Sequence, residues 1–236
     1  MLSFSAESPA LSARLYAEGF SLSQEDAEKD LAALLSAGAI PLTLSACGTV
    51  RSQGVGIKID TDRGAMLYLY ALTTDQAARG QGLLRTLLRE TAALAKKQGY
   101  IGLCLLPADD ALRSAYRRMG FTEERPAGGA PLITAATDLA LYLDKAAEPL
   151  TETDGEALYA ALGQHMTRAM LDYTLSTLAP AVLPMKAMGG YALALACAPH
   201  HALAASSPAK RIESHTLLAM PLGNELPSSI PEPLPR

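Results

Sequence analysis

Apolar positions change period several times along the first 144 residues, and each change marks an element. Ala27, Leu31, Leu34 and Leu35 share one face of a helix predicted over residues 23–38. Ser23 stands at its N-cap, Asp26 sits where a capping box places its acid, and Gly38 suits its stop. An earlier helix is predicted around residues 9–20. Three β-rich runs follow, over residues 40–46, 50–60 and 65–73, separated by a Cys47-Gly48 turn and by punctuation at 61–64, where Gly64 suits a hairpin position. Such short connections predict an antiparallel meander.

The pattern then turns helical. Leu84, Leu87, Leu88, Thr91 and Ala95 form a stripe with Leu94 beside it, while Arg85, Arg89 and Lys96 lie opposite and Gly99 ends the helix. Residues 101–106 are apolar throughout, as in a strand covered on both faces, and Pro107 stops them. Asp109 and Asp110 open another helix, where carboxylates favour the N-terminal dipole. Leu112, Ala115, Tyr116 and Met119 form its apolar stripe, and Gly120 ends it. Two more strands are predicted near 121–124 and 139–144, separated by a loop over 126–131. Residues 65–121 thus run strand, turn, helix, strand, helix. A right-handed crossover makes the two strands parallel neighbours. An antiparallel meander feeding one parallel crossover predicts an α+β fold with a mixed sheet.

Beyond residue 150, helices are predicted over 151–166 and 169–178 and strands over 191–198 and 214–220. The expected organisation is a first domain over residues 1–150 and an α/β C-terminal extension over 151–236. The extension has too few elements for an independent core and is expected to pack on the first domain. Its tail, ELPSSIPEPLPR, reads as an extended segment, with a PxxP-type ligand as the alternative.

Composition narrows the function classes. The 236 residues are 49% hydrophobic and 19% charged, ample for a core. A net charge of -4 argues against a nucleic-acid partner. Cys47, Cys104 and Cys197 are far apart without CxxC spacing, and His165, His200, His201 and His215 form no HxxxH or HExxH pattern. No disulfide framework and no metal site is therefore expected, and His200-His201 reads as two polar loop residues. No apolar run approaches the roughly 18 residues of a membrane span, and the opening MLSFSAESPA carries no basic leader. A soluble, reducing, cytoplasmic setting is expected.

The stretch DQAARGQGLLRTLL, residues 75–88, sits where the third β-rich run meets the leucine stripe. A turn there collects unpaired backbone N–H groups at a helix N-terminus, which attract an anion. Glycine admits a phosphate close to the backbone, and Arg79 can add a charge-assisted bond. The same residues also fit a plain strand-to-helix turn. A dinucleotide fingerprint would need glycine at position 85, which is Arg85, and a Walker loop would need GK[ST], which is absent.

RGQGLLRTLL, the strand ending LLPAD and the later AYRRMGF together resemble the GNAT acetyltransferase superfamily. Its signature is a Q/R-x-x-G-x-G/A turn followed by a Y-x-x-x-G-F helix end about 35 residues on. The resemblance spans roughly residues 10–144 and is sharp over 65–121. RLYAEGF and LYLYALTTDQAARG are further similar to a bacterial subgroup with a long C-terminal extension.

The resemblance implies acetyl-CoA as acyl donor. It assigns the pyrophosphate to the backbone of Arg79, Gly80, Gln81, Gly82, Leu83 and Leu84, and the pantetheine arm to the strand end at Leu72, Thr73 and Thr74. It implies a slot between Leu72 and Leu103 where the parallel strands splay. Tyr116 is brought to the thioester sulfur, and Asp109 stands where the family often carries asparagine. Departures from the pattern are Ala77, where Gln or Arg is usual (Gln76 is beside it), Leu84, where a small residue is common, and Asp109, which can cap its helix as asparagine would.

The implied reaction is direct acyl transfer to a small-molecule or peptide amine, with Tyr116 protonating the leaving thiolate. Tyr116 also fits a core position on its apolar stripe. MLYLYALTT carries no carboxylate to serve as base. Glu123 and Glu124 read as solvated, and Cys104 as an inert buried thiol. Tyr68 and Tyr70 share one strand face and either line an acceptor pocket or pack under a helix. Two functions follow: an N-acetyltransferase, or a catalytically degenerate GNAT-fold module for CoA binding or interaction.

Overall fold

The three β-rich runs form the expected meander in the computed structural model, which describes residues 2–6, 11–128, 132–135, 147–149, 169, 182–187, 190–196, 210–211, 216–228 and 230–231. Strand β1 (Leu2–Ser5) precedes helices α1 (Ala13–Phe20) and α2 (Gln24–Ser36). Ser12 Oγ accepts from Leu15 N–H to cap α1. Ser23 Oγ accepts from Asp26 N–H at 3.0 Å to cap α2. Strands β2 (Ile40–Ala46), β3 (Thr49–Thr61) and β4 (Gly64–Thr74) then pair antiparallel in chain order. β1 joins the outer edge of β2.

After β4, a short 3₁₀ turn (Gln76–Ala78) leads to α3 (Leu83–Lys97), which carries the chain to β5 (Gly102–Leu105). β5 pairs parallel with β4, so the predicted crossover is present. The buried stripe of α3 is Leu83, Leu87, Leu88, Thr91 and Ala95, so Leu83 rather than Leu84 opens it. Leu83, Leu87, Leu88 and Ala95 join Leu67 and Leu69 of β4 and Leu103 and Leu105 of β5 in one core cluster. Tyr70, which follows Leu69, points the other way and packs its ring 5.9 Å from Phe20 of α1. The sheet is therefore covered by α3 on one face and by α1 on the other. Helix α4 (Asp110–Arg117) and β6 (Glu123–Gly128) follow.

The next strands are β7 (Leu132–Ala135), β8 (Ala147–Pro149), β9 (Val182–Ala187), β10 (Gly190–Ala196), β11 (Lys210–Arg211), β12 (Thr216–Pro221) and β13 (Ile230–Pro231). β12 does not stay with its sequence neighbours. It lies between β5 and β6, antiparallel to both, in a mixed sheet of order β1-β2-β3-β4-β5-β12-β6-β13. The other strands form a separate sheet of order β11-β7-β10-β9-β8, with β7 and β10 parallel.

This pairing changes the expected organisation. One compact unit is Met1–Pro126 with Thr216–Ile230, and the other is Ala127–His215 with Pro231–Arg236. What the sequence suggests as an appendage after residue 150 is in large part an insertion between two neighbouring strands. Leu217, Leu218 and Ala219 of β12 are fully buried and cover the edge that β5 would otherwise leave open. The expected loop over 126–131 also begins later, because β6 extends through Gly128. Pro126 takes the last rung of the β12 ladder, where its missing N–H costs least. The strand expected over 139–144 and the helices expected over 151–166 and 169–178 lie outside the described residues, residue 169 apart.

Pro126 and Thr216 are register partners, so both ends of the insertion sit side by side on one rung. Replacing residues 127–215 by an Asn-Gly hairpin turn is expected to leave a chain that unfolds cooperatively in a thermal melt. Truncation after residue 150 removes β12 and is expected to give aggregated or molten protein. A truncated chain as stable as the hairpin variant would contradict this topology.

Candidate functional site at the end of strand β4

β4 outruns its parallel partner. Pairing with β5 covers Met66–Gly102, Leu67–Leu103 and Tyr68–Cys104, and there it stops, while β4 continues to Thr74. Leu103 is thus still paired, with Leu67. The opening begins beyond Cys104 rather than between Leu72 and Leu103. Past Tyr68, β4 presents backbone groups on that edge to which no described strand pairs.

A bulge re-aims this free segment. Against β3, Gln53 pairs with Thr73 while Val55 pairs with Tyr70, so Ala71 and Leu72 together oppose Gly54. Ala71 takes φ 55, a left-handed conformation that costs a non-glycine residue about 1–2 kcal/mol. Gly54 makes the bulge possible: a Cβ there would meet Leu72 Cδ2 at 2.6 Å and Tyr70 O at 3.2 Å. The bulge keeps Leu72 against the α3-side core and turns Thr73 toward α1, where its methyl lies against Gly19. Thr73 Oγ1 is buried there with no described partner.

The turn into α3 is held from below. Asp75 is almost fully buried. Its Oδ1 accepts from Ala77 N–H at 3.1 Å, and its Oδ2 accepts from the Arg51 guanidinium at 2.7 Å. Arg14 of α1 adds a longer ion pair at 3.5 Å. The hydrogen bond from Arg51, then that from Ala77, holds the Asp75 carboxyl below the usual carboxylate range. Ala77, where the family's usual Gln or Arg is missing, contributes its backbone to this clamp. Arg79 folds back, its Nε donating to Thr74 O at 3.3 Å.

Gly80 and Gly82 take φ 77 and φ 75, and a Cβ built on either meets nothing within 4 Å. Two L-residues there would cost about 2–4 kcal/mol together. Gly82 is the N-cap of α3 and has no side chain to satisfy the first turn. The first helical bond runs from Thr86 N–H to Gly82 O at 3.0 Å, and no described residue accepts from the N–H groups of residues 80–85. Arg79, Gly80, Gln81 and Gly82 are exposed, Leu84 is half-buried, and Leu83 turns inward. The result is an open concave turn lined by donors at the positive end of a 15-residue helix.

Tyr116 lies on the last turn of α4, buried, with its ring edge-on to Phe121 at 5.8 Å. It belongs to the same core cluster as Leu69, Leu83 and Leu105. Asp109 is the N-cap of α4, its Oδ1 accepting from Leu112 N–H at 2.7 Å. Glu124 is bound by Arg117 and Arg113, and Glu123 by Arg125. The arginine contacts lower the Glu124 carboxyl, which does not suit a base. Burial pushes the Cys104 thiol up, in keeping with an inert core position.

On the α1 face, Tyr16 is fully buried and its hydroxyl donates to Asp30 of α2 in a short hydrogen bond. Burial, then that bond, raises the Tyr16 phenol well above its ordinary range, so it stays a donor. Gln53, also buried, grips the start of α1: Ser12 N–H donates to its Oε1, and its Nε2 donates to Ser12 O at 2.9 Å. Gln53, the Asp75 clamp and the Tyr16–Asp30 pair carry no motif in the sequence. Gly54, an isolated glycine within a strand, is the signal that marks a bulge. Among the described residues no cluster of His, Cys, Asp and Glu could hold a metal. The four histidines and Cys197 lie outside those residues. No described helix is long and apolar enough to cross a membrane.

Comparison with known proteins agrees with this geometry. The model of the acetyltransferase (GNAT) family matches residues 44–121, the stretch from β2 through Phe121. A GCN5-related N-acetyltransferase from Anabaena variabilis is similar in structure, with a TM-score of 0.60 at 13% identity, over 94% of this chain and 73% of that one. One from Kribbella flavida is similar with a TM-score of 0.53 at 14% identity, over 94% and 72%. At such identities these likenesses speak for the fold. No curated protein matches the sequence. The motifs of the turn and of α4 both lie inside residues 44–121, the segment that matches the acetyltransferase (GNAT) family.

Proposed function

We propose that the protein is an N-acetyltransferase that moves an acetyl group from acetyl-CoA to a primary amine by direct attack. The observation that carries this reading is the continuity of two sets of backbone groups: the donor-lined turn over residues 80–84 and the unpaired edge of β4 beyond Tyr68. The turn suits a pyrophosphate, and the strand edge suits an amide-bearing arm that completes its ladder. Acetyl-CoA supplies the activated acetyl group together with both of these features.

In this reading the N–H groups of Gly80, Gln81, Gly82, Leu83 and Leu84 bind the phosphates. The backbone of Leu72, Thr73 and Thr74 orients the arm. The bulge at Ala71 turns backbone N–H groups toward the acyl carbonyl, where they stabilise the oxyanion that forms during attack. Tyr116 holds a proton for the departing thiolate. Asp109 acts on the donor side through its cap on α4. A lysine-like acceptor is roughly 99.9% protonated at pH 7, so the incoming amine must lose a proton before it attacks. β4 itself offers no carboxylate for this.

Acetyl-CoA at a concentration 100-fold above its Kd is expected to stabilise the protein by about 2.7 kcal/mol, read as a rise in Tm. Gly82→Ala fills the turn with a methyl group and should reduce that rise. Gly99→Ala is the control, since Gly99 has a similar φ of 84 and a similarly open Cβ position at the far end of α3. Equal loss in both variants, or none in Gly82→Ala, would place the donor elsewhere.

Tyr116→Phe is expected to keep the rise in Tm and to lower amine-dependent thiol release by about 10²-fold. Thiol release unchanged between pH 6 and pH 10 would remove Tyr116 from the chemistry. Stabilisation by acetyl-CoA without thiol release from any amine would identify a CoA-binding module instead.

A further inference from the structure

The end of α1 and the turn that follows it carry two of the three large hydrophobic side chains that are exposed among the described residues, Phe20 at 38% and Leu22 at 39%. Phe20 is not a stray surface residue. Its ring is fixed 4.7 Å from Tyr16 and 5.9 Å from Tyr70. Tyr70 is half-buried and immediately precedes Ala71, the residue at which the bulge turns the free end of β4. An aromatic shelf therefore stands on the α1 face of the sheet, beside the segment assigned above to the reacting end of the donor.

The inner end of the shelf is polar. Tyr16 donates to Asp30, and the Tyr70 phenol lies within electrostatic reach of the Tyr16 hydroxyl. A phenol in that position offers an oxygen to an N–H group while its ring supports an apolar body. The Asp30 carboxylate behind it favours a cation over a neutral or anionic group. Phe20 and Leu22 cannot satisfy the hydroxyls of a sugar amine, which would lose water there without replacement.

Building on the transfer reading, we propose that the acceptor is a primary amine carried on an apolar or aromatic body. The body seats on Phe20 and Tyr70. The nitrogen is directed toward Ala71 by the Tyr70 hydroxyl, and the Tyr16–Asp30 pair positions that hydroxyl. Phe20 is then a specificity-determining residue, and Tyr16 and Asp30 are positioning residues.

Steady-state kinetics with 2-phenylethylamine and glucosamine as acceptors tests this on the full-length chain. The wild type is expected to favour 2-phenylethylamine in kcat/KM by about tenfold or more. Phe20→Ser should raise KM for 2-phenylethylamine about tenfold and leave KM for acetyl-CoA and the acetyl-CoA rise in Tm unchanged. Asp30→Asn should raise KM for the amine alone, and Asp30→Glu should recover part of the loss. A retained rise in Tm shows that each variant is folded. Equal use of the two amines, or an unchanged amine KM in Phe20→Ser, would overturn the acceptor assignment while leaving the transfer reading intact. No rise in Tm with acetyl-CoA in the wild type would overturn the transfer reading and this inference with it.

Discussion

The site depends on one mismatch of length. Two parallel strands pair over three rungs, after which β5 ends at Leu105 and β4 runs on to Thr74. A buried strand edge without partners is costly, because each unmet backbone group forfeits a hydrogen bond worth about 1–3 kcal/mol in desolvation. The fold holds this edge open rather than closing it. β12 covers the other side of β5, and the bulge at Ala71 and Leu72 swings the free part of β4 away. The strain at Ala71 sits past the last paired rung, on the free part of β4.

The surrounding polar groups keep that geometry rigid. Asp75, buried and held by Arg51 and the Ala77 N–H, fixes the exit from β4 so that the glycine turn starts from a defined position. Ser52 Oγ donates to Thr73 O at 3.2 Å, and Gln53 beside it grips the N-terminus of α1. The two adjacent residues of β3 thus tie the end of β4 and the N-terminus of α1 to the same strand. Sub-ångström positioning of two reactants needs a shared rigid support of this kind.

Much of this was legible in the sequence wherever the signal was local. The α3 stripe, the antiparallel meander, the caps at Ser23 and Asp109 and the paired glycines follow from spacing within a dozen residues. The α+β class and the parallel crossover followed from the order of those elements. Only the first stripe position differs: Leu83 is buried there, while Leu84 packs half-buried against the same cluster. The insertion was not legible. Residues 214–220 read as a strand, but nothing near them tells that the strand lies between β5 and β6, far upstream in the sequence. The bulge left a trace in Gly54 alone, and the Asp75 clamp draws on Arg14 and Arg51, which only the folded sheet brings together.

The central claim is that the glycine turn and the free edge of β4 form one donor site. Backbone amide chemical shifts in ¹H–¹⁵N spectra, followed during titration with acetyl-CoA, test it most directly. The account predicts saturable shifts, with one common Kd, at residues 80–84 and at residues 71–74. Shifts confined to the unit that holds residues 127–215 and 231–236, or shifts in the two segments with different Kd values, would contradict it.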